Sequence, residues 1–124
     1  MVQEKAIPPI PTLDIQLVTR GEEVYQQFCA SCHGLNLEGQ SDWQSPLPDG
    51  SFRAPPHDST GHTWHHSDDV LLQIIAEGSN PALGGTMQGF QDVIEMEDMI
   101  AVLEFIKSNW GPEEREFQWR ITAQ

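Results

Sequence analysis

Three stretches of the chain carry apolar residues at the spacing of an α-helix, and each stretch predicts one helix. The first starts at Thr19, because Thr19 and Glu22 have the spacing of a capping box. Gly34 suits its termination, since glycine is the favoured residue after a helix end. Its apolar side is formed by Gly21, Val24, Tyr25, Phe28 and Cys32.

The other two helices differ in how clearly their starts are marked. Ser67 is a favoured N-cap for the second helix, and Gly78 marks its end. The third runs from about residue 95 to residue 109 and stops before Gly111-Pro112. Its start is poorly capped, because Glu95 is not a favoured N-cap residue.

The segments between and around these helices lack clear periodicity. Residues 35–62 are rich in Gly, Pro, Ser and Asp, and a loop of this length predicts an ordered segment wrapped over a cofactor. The prolines of residues 1–18 predict an extended arm, either a spacer or a strap packed on the domain. We therefore expect an all-α domain over residues 19–112, with a C-terminal extension over residues 113–124 that forms a strap or short strand.

Composition and charge restrict the function. At 124 residues with 38% apolar content, the chain is one domain with a thin side-chain core, to which a bound cofactor would add apolar mass. The formal charge is −13, with fourteen carboxylates and one base, Arg53, between Glu22 and Glu104. Such a charge excludes nucleic acid and anionic membrane surfaces as partners, and favours a redox partner with a basic docking face. The bland alternative is that the charge only keeps the protein soluble.

Residues 29–33 read Cys-Ala-Ser-Cys-His, the attachment signature of a c-type haem. Cys29 and Cys32 are one helical turn apart, so both thiols can reach the same porphyrin edge, and His33 can then bind the iron. A zinc site would need four ligands, to which the histidines of residues 57–66 could contribute, but the spacing of a zinc finger is absent. A thioredoxin-type pair would need a βαβ context that this sequence lacks.

Met87 is the predicted second axial ligand. It lies in a turn-rich, glycine-flanked segment, where helix packing does not explain a methionine. Met96 and Met99 fall on the apolar stripe of the third helix and are better explained as core residues. With His33 and Met87 both bound, the iron has no open position, so we expect an electron carrier and not an enzyme.

The segment Gly61-His62-Thr63-Trp64-His65-His66 has three possible interpretations. It could bind copper or zinc, or supply a histidine as a second haem ligand. Alternatively, it is a polar loop whose Trp64 indole and histidines approach the haem propionates. Arg53 has either a propionate as its partner or an exposed side chain.

The chain resembles the small monohaem class I c-type cytochromes of bacteria over about residues 19–110. The resemblance is carried by Gly21, Tyr25 and the Phe28-Cys-Ala-Ser-Cys-His-Gly run, by Pro55-Pro56, by Gly-Thr-Met87-Gln-Gly-Phe, and by the last helix ending Leu103-Glu-Phe-Ile-Lys-Ser. It implies a cytochrome c-like fold of three to four helices around one haem c, with the first and last helices crossing at Gly21. It also implies that Tyr25 and Phe105 lie near this crossing.

The same resemblance implies that the Pro55 carbonyl accepts a hydrogen bond from His33 Nδ1, which would orient the ring. The chain departs from the family at three positions. Gln88 stands where many relatives have proline, and His57 stands where an apolar residue that packs on the haem is common. Glu95 replaces the usual Ser or Asp cap.

The sequence thus predicts a monomeric, periplasmic or otherwise extracytoplasmic electron carrier with one low-spin haem c, held by Cys29, Cys32, His33 and Met87. Bacteria attach haem covalently outside the cytoplasm, so we expect an exported protein, tethered to a membrane only through an anchor absent from this sequence. The respiratory-type donor and acceptor are not identified by the sequence. Two alternatives are a copper- or zinc-handling haem protein that uses His62–His66, and a haem-based gas sensor with a displaceable Met87.

Overall fold

Five α-helices form the regular secondary structure of residues 7–124, the part of the chain that the computed structural model describes. They are α1 (Ile15–Phe28), α2 (Ala30–His33), α3 (Asp68–Glu77), α4 (Met96–Lys107) and α5 (Pro112–Thr122). Two 3-10 turns, at Thr63–His65 and Pro81–Leu83, lie in the long connections. No strand occurs in residues 7–124, which confirms the predicted all-α class. None of these helices has the length and hydropathy needed to cross a membrane.

The N-cap of α1 lies five residues earlier than the sequence predicts. The side chain of Asp14 accepts hydrogen bonds from the backbone N–H groups of Gln16 and Leu17, so Asp14 is the N-cap. Thr19 lies inside the helix, where its hydroxyl donates to the Ile15 carbonyl at 2.9 Å. The predicted capping box at Thr19 is therefore wrong, because an aspartate with better geometry precedes it.

The residues after α1 form a separate short turn. Helix α1 ends at Phe28, and residues 30–33 form the single turn α2. Gly34, with a φ of 90°, ends this turn and donates its N–H to the Ala30 carbonyl. The predicted first helix is therefore interrupted at Cys29, which places the cysteine motif on its own turn, and only the helix end at Gly34 is confirmed.

Helices α1 and α4 cross at Gly21, where the two backbones approach closely. A Cβ atom on Gly21 would overlap the Ala101 carbonyl and touch the Phe105 side chain. One turn further along, the Tyr25 and Phe105 rings lie 5.3 Å apart. The crossing implied by the family resemblance is thus confirmed. The buried core around it contains Val24, Tyr25, Leu37, Leu71, Ile75, Phe90, Ile94, Met99, Val102, Leu103, Phe105, Ile106 and Trp110.

Helices α3 and α4 follow the sequence prediction closely. The Ser67 hydroxyl caps α3 by accepting from the Val70 N–H, and Gly78, with a φ of 84°, ends the helix. Glu95 occupies the N-cap of α4 without a side-chain hydrogen bond. The prediction that Glu95 is a poor cap for α4 is therefore confirmed.

Helix α5 corrects the prediction of a strap or short strand for the C-terminal segment. Pro112 occupies the first turn, where its missing N–H costs nothing, and Glu113 and Glu114 complement the helix dipole. The side of α5 facing the protein carries a buried polar residue, Gln118, whose amide donates to the His66 carbonyl and to Asp68 Oδ1. A polar residue on the buried side hides the helical pattern in the sequence.

The extended residues before α1 lie against α5. Trp119 Nε1 donates to the Pro8 carbonyl at 2.7 Å, and Arg115 Nη2 donates to the Pro11 carbonyl at 3.0 Å. The first six residues of the predicted arm lie outside the described part of the chain.

Candidate haem site

Cys29 and Cys32 are both free thiols at the junction of α1 and α2. Cys29 is half-buried and packs against the hydrophobic core, whereas Cys32 is exposed. Burial, and to a lesser extent the neighbouring Cys32, raises the pKa of the Cys29 thiol to about 11. Cys29 thus borders the hydrophobic core, whereas Cys32 borders solvent.

His33 is fixed by one ring nitrogen while the other remains accessible. Its Nδ1 lies 2.8 Å from the Pro55 carbonyl oxygen, which confirms the hydrogen bond implied by the family resemblance. The residue is only 6% exposed, and its Nε2 has no hydrogen-bond partner among residues 7–124. Within residues 7–124 every fully buried side-chain nitrogen or oxygen has a partner, so Nε2 must belong to the small exposed area. Burial lowers the pKa of His33, which leaves a neutral imidazole with a free lone pair.

The loop over residues 35–62 is ordered around this turn. Gly39 N–H donates to the His33 carbonyl, and the Tyr25 hydroxyl donates to the Gly34 carbonyl at 2.8 Å. Further along, the N–H of His57 donates to the Leu37 carbonyl at 2.9 Å. These bonds hold the Pro55 carbonyl against His33, and the prediction of an ordered loop is confirmed.

Met87 is held by hydrogen bonds of its own backbone. Its N–H donates to the Ser79 hydroxyl at 2.9 Å, and its carbonyl accepts from the Ser79 N–H at 3.1 Å. Gly78 and Gly89 allow this segment to lie against the end of α3, since a Cβ atom on either would strike backbone atoms. Half-buried Met87 packs against the core, as Cys29 and Phe28 also do.

The two methionines of α4 occupy different environments. Met99 is 2% exposed and is a core residue, as predicted. Met96 is 53% exposed, so its predicted place in the core is wrong. The helix turns this first residue toward solvent, because the core contacts begin one turn later.

The histidines of residues 62–66 form a surface aromatic cluster. The Trp64 and His65 rings stack with centroids 3.9 Å apart, and the His62 and His65 centroids are 5.1 Å apart. The Trp64 indole N–H donates to the Ser59 carbonyl at 3.3 Å. In the described part of the chain, no three His, Cys, Asp or Glu side chains converge in a way that could hold a metal ion. The copper- or zinc-binding alternative therefore gains no support.

The Arg53 side chain has a protein partner. Its Nε donates to the Ser45 carbonyl at 3.0 Å, within the same loop. The guanidinium is partly exposed, so this bond does not occupy all of its donors.

Three residues with a place in this site were not assigned by the sequence. Ser79 fixes Met87, and its position directly after the helix-ending Gly78 is the only sequence signal for that role. His57 stacks on His33, and Thr63 bonds the His57 ring. Both contacts join residues that no local pattern relates.

The residues present fit a covalently attached haem. The site offers two free thiols, an imidazole nitrogen with an accessible lone pair, and a half-buried thioether, which are the donor types that a c-type haem requires. Phe28 and Ala30, the chain neighbours of Cys29, are partly buried apolar residues that pack against the core, as Met87 does.

Comparison with known proteins gives a family assignment. The family model described as cytochrome c oxidase, cbb3-type, subunit III matches residues 16–106, which is most of the chain. A solved structure, cytochrome cL from Hyphomicrobium denitrificans, matches at 22% identity with a TM-score of 0.47, over 73% of this chain and 46% of that one. This chain therefore spans less than half the length of that structure. No match was found among curated proteins.

The family match covers the Cys29–His33 turn, the Pro55 loop, the Met87 segment and most of α4. Haem-based electron transfer, with covalently bound haem c as cofactor, is the function of this family. The chain belongs to the cytochrome c oxidase, cbb3-type, subunit III family.

Proposed function

We propose that this protein is a single-electron carrier in which Cys29 and Cys32 bind the haem as thioethers, and His33 and Met87 are the axial ligands of its iron. The observation that carries the proposal is the state of His33. Its Nδ1 is bound to Pro55, its Nε2 is accessible, and two free thiols lie in the same turn. When bound, the haem supplies a one-electron couple between ferrous and ferric iron.

The Pro55 carbonyl prepares His33 for its role in two ways. By accepting from Nδ1–H it selects the tautomer whose Nε2 carries the lone pair. It also orients the ring and increases the electron donation of Nε2 to a metal. Because burial lowers the pKa of His33, protons compete poorly for that nitrogen at neutral pH.

Met87 is the proposed second axial ligand, and Ser79 holds it in place. The two hydrogen bonds between Ser79 and the Met87 backbone restrict the segment, although Gln88 replaces the proline common in relatives. With His33 and Met87 both bound, no position remains open for a substrate. The side chains then hold the same ligand set in both oxidation states, which favours electron transfer over bond-making catalysis.

The charge of the chain supports a partner with a basic docking face. The formal charge of −13 would attract such a partner at long range and repel acidic ones. We propose that the donor and acceptor are respiratory-type redox proteins, such as a dehydrogenase and a terminal oxidase, and that the protein works as a monomer outside the cytoplasm. In this proposal residues 19–112 form the electron-transfer domain, with an N-terminal arm and a C-terminal extension attached.

Absorption spectroscopy of the purified protein tests the ligand set. The reduced protein is expected to give a low-spin c-type spectrum, and the ferric protein the long-wavelength charge-transfer band of methionine-ligated iron. Met87→Leu should abolish that band, while Met96→Leu, at an exposed position of α4, should keep it. Retention of the band in Met87→Leu would exclude Met87 as the ligand.

Two further measurements test the covalent attachment of the haem and the absence of an open coordination position on its iron. Cys29→Ala and Cys32→Ala should each leave one thioether fewer in the pyridine haemochrome spectrum. Carbon monoxide should bind poorly to the reduced native protein and well to Met87→Leu. Tight binding to the native protein would instead support the gas-sensor alternative.

A further inference from the structure

The ring of His57 lies directly against the ring of His33. Their centroids are 4.0 Å apart, and the ring planes are inclined by 36°. Each ring has its Nδ1 engaged with the protein, His33 with the Pro55 carbonyl and His57 with the Thr63 hydroxyl at 2.6 Å. Neither Nε2 has a hydrogen-bond partner in residues 7–124. Because no side-chain nitrogen there is both fully buried and unpartnered, both Nε2 atoms must be at least partly accessible. Two stacked imidazoles thus each expose a free ring nitrogen.

The backbone of His57 is fixed on both sides. Its N–H donates to the Leu37 carbonyl at 2.9 Å, and its carbonyl accepts from Trp110 Nε1, also at 2.9 Å. These bonds tie the segment to the loop after α2 and to the residues that follow α4. The His57 ring can therefore leave His33 only by side-chain rotation.

Thr63 restrains that rotation. It is a buried polar residue, 9% exposed, and its hydroxyl lies between His57 Nδ1 and the Pro56 carbonyl, 3.4 Å away. If the hydroxyl donates to Pro56, His57 Nδ1 carries the proton and Nε2 is an acceptor. If it donates to His57, Nε2 carries the proton and is a donor. In both cases rotating the ring breaks the bond to Thr63.

The side chain of His57 differs in kind from an apolar one. An imidazole ring in this place offers a dipole and a free ring nitrogen, whereas the apolar residue common at this position in related cytochromes offers neither.

We propose that His57 is a positioning residue for the axial ligand and a polar contact for the haem, resting on the proposed ligation by His33. The Pro55 carbonyl fixes one atom of the His33 ring, and the stacked His57 ring fixes its plane. Thr63 holds His57 in that position. The Nε2 of His57, which has no hydrogen-bond partner in residues 7–124, is then available for a contact with the haem.

Two separable effects follow from this arrangement. The orientation of the axial imidazole plane determines the anisotropy of the low-spin ferric electron paramagnetic resonance signal. The polarity of the haem surroundings sets the midpoint potential, because ferric haem carries one more positive charge than ferrous haem. Loss of a polar ring should destabilise the ferric state and raise the potential.

Variants of the intact haem-containing protein separate these effects. His57→Leu removes both the ring that packs against His33 and its dipole. The resonance anisotropy should therefore change, and the potential should rise. His57→Phe keeps a flat ring but loses the bond to Thr63, so its anisotropy should change as in Thr63→Val while the potential rises. Thr63→Val should change the anisotropy in the direction of His57→Leu, and Thr63→Ser should restore the wild-type signal.

His66→Leu is the matched control, since it removes an exposed histidine of the same loop that has no ring contact with His33. Its resonance and potential should equal those of wild type. Unchanged anisotropy and potential in both His57→Leu and Thr63→Val would overturn the inference and leave the proposed function standing. A wild-type protein without a low-spin His/Met spectrum would overturn the proposed function itself, and this inference with it. If His57→Leu fails to fold, Thr63→Val and His57→Phe decide the question.

Discussion

Gly21 lies so close to Ala101 that a Cβ atom on Gly21 would overlap the Ala101 carbonyl oxygen. Because the obstacle is backbone, α1 and α4 must move apart to accept Gly21→Ala. We expect this change to lower the free energy of unfolding by roughly 1–3 kcal/mol, the usual cost of overpacking. The helix propensity of alanine, which is about 1 kcal/mol more favourable than that of glycine, opposes this loss. Urea denaturation of the haem-containing protein measures it.

Gln27→Ala is the control for this substitution, since Gln27 is exposed on the same helix. Its effect should stay within about 0.5 kcal/mol. Equal stabilities of the two variants would show that the crossing tolerates a wider separation.

Tyr25 should make the stability of the protein decrease at alkaline pH. Its hydroxyl donates to the Gly34 carbonyl, and burial raises the pKa of the phenol far above its usual value of about 10. A group whose pKa is raised by folding contributes its full stability below the unfolded pKa and loses it as pH rises above that value. Stability should therefore fall as pH rises above about 10, because the unfolded chain can release this proton and the folded chain cannot.

Tyr25 is the only tyrosine in the sequence, so tyrosinate absorption reports on this residue alone. Its ionisation should coincide with unfolding and not precede it. Tyr25→Phe should cost about 1 kcal/mol at neutral pH through the lost hydrogen bond, and should remove this part of the alkaline dependence. Ionisation near pH 10 in a fully folded protein would contradict the prediction.

The hydrogen bond between Ser79 and Met87 should control how easily an external ligand replaces the methionine. In Ser79→Ala the Met87 N–H loses its acceptor, which is worth about 1 kcal/mol. If Met87 binds the iron as proposed, imidazole added to the ferric protein should bind roughly fivefold more tightly in this variant. Spectroscopic titration with imidazole measures this affinity. Ser51→Ala, which removes a hydroxyl that within residues 7–124 bonds only Asp49, should leave it unchanged.

The parts of the fold that depend on local sequence were predictable. Ser67 and Gly78 bound α3 because capping and left-handed termination are properties of single residues. The start of α1 was missed because Asp14 is followed by apolar residues that also suit an extended strap. Helix α5 was missed because the buried side of a short helix is polar at Gln118.

The candidate site divides in the same way. The proposal of the two thiols and His33 rests on five consecutive residues, and the proposal of Met87 rests on its glycine-rich surroundings. The contact between His33 and His57 depends on how a long loop folds back, which no periodic pattern records. Hydrogen bonds from Ser79 and Thr63 likewise join segments whose pairing only the folded chain determines.

The segment before α1 should detach when its two hydrogen bonds to α5 are removed. Trp119→Phe and Arg115→Ala together delete the donors to the Pro8 and Pro11 carbonyls. Each bond is worth about 1 kcal/mol, so the detached state should become at least several-fold more populated. Thermolysin should then cleave residues 7–13 faster, with the haem spectrum unchanged. Arg120→Ala is the control, since this α5 cation bonds only Glu116 within residues 7–124, and this variant should be cleaved at the wild-type rate.

The negative charge of the protein should control its reactions with small redox reagents. A cationic cobalt complex should oxidise the reduced protein faster at low ionic strength than at high, and anionic ferricyanide should show the opposite dependence, because the formal charge is −13. Both effects should fade as the Debye length falls to about 10 Å near 0.1 M salt. Stopped-flow rates over a series of salt concentrations measure them.

Local charge can be separated from net charge in the same experiment. The Glu38 side chain lies against Gly34, directly after the proposed axial ligand, whereas Glu116 lies on α5. Glu38→Gln and Glu116→Gln change the net charge equally, but Glu38→Gln should slow the cationic reagent more if electrons leave near the His33 turn. Equal slowing by the two variants would mean that only the total charge matters. Rates independent of salt for both reagents would exclude electrostatic guidance altogether.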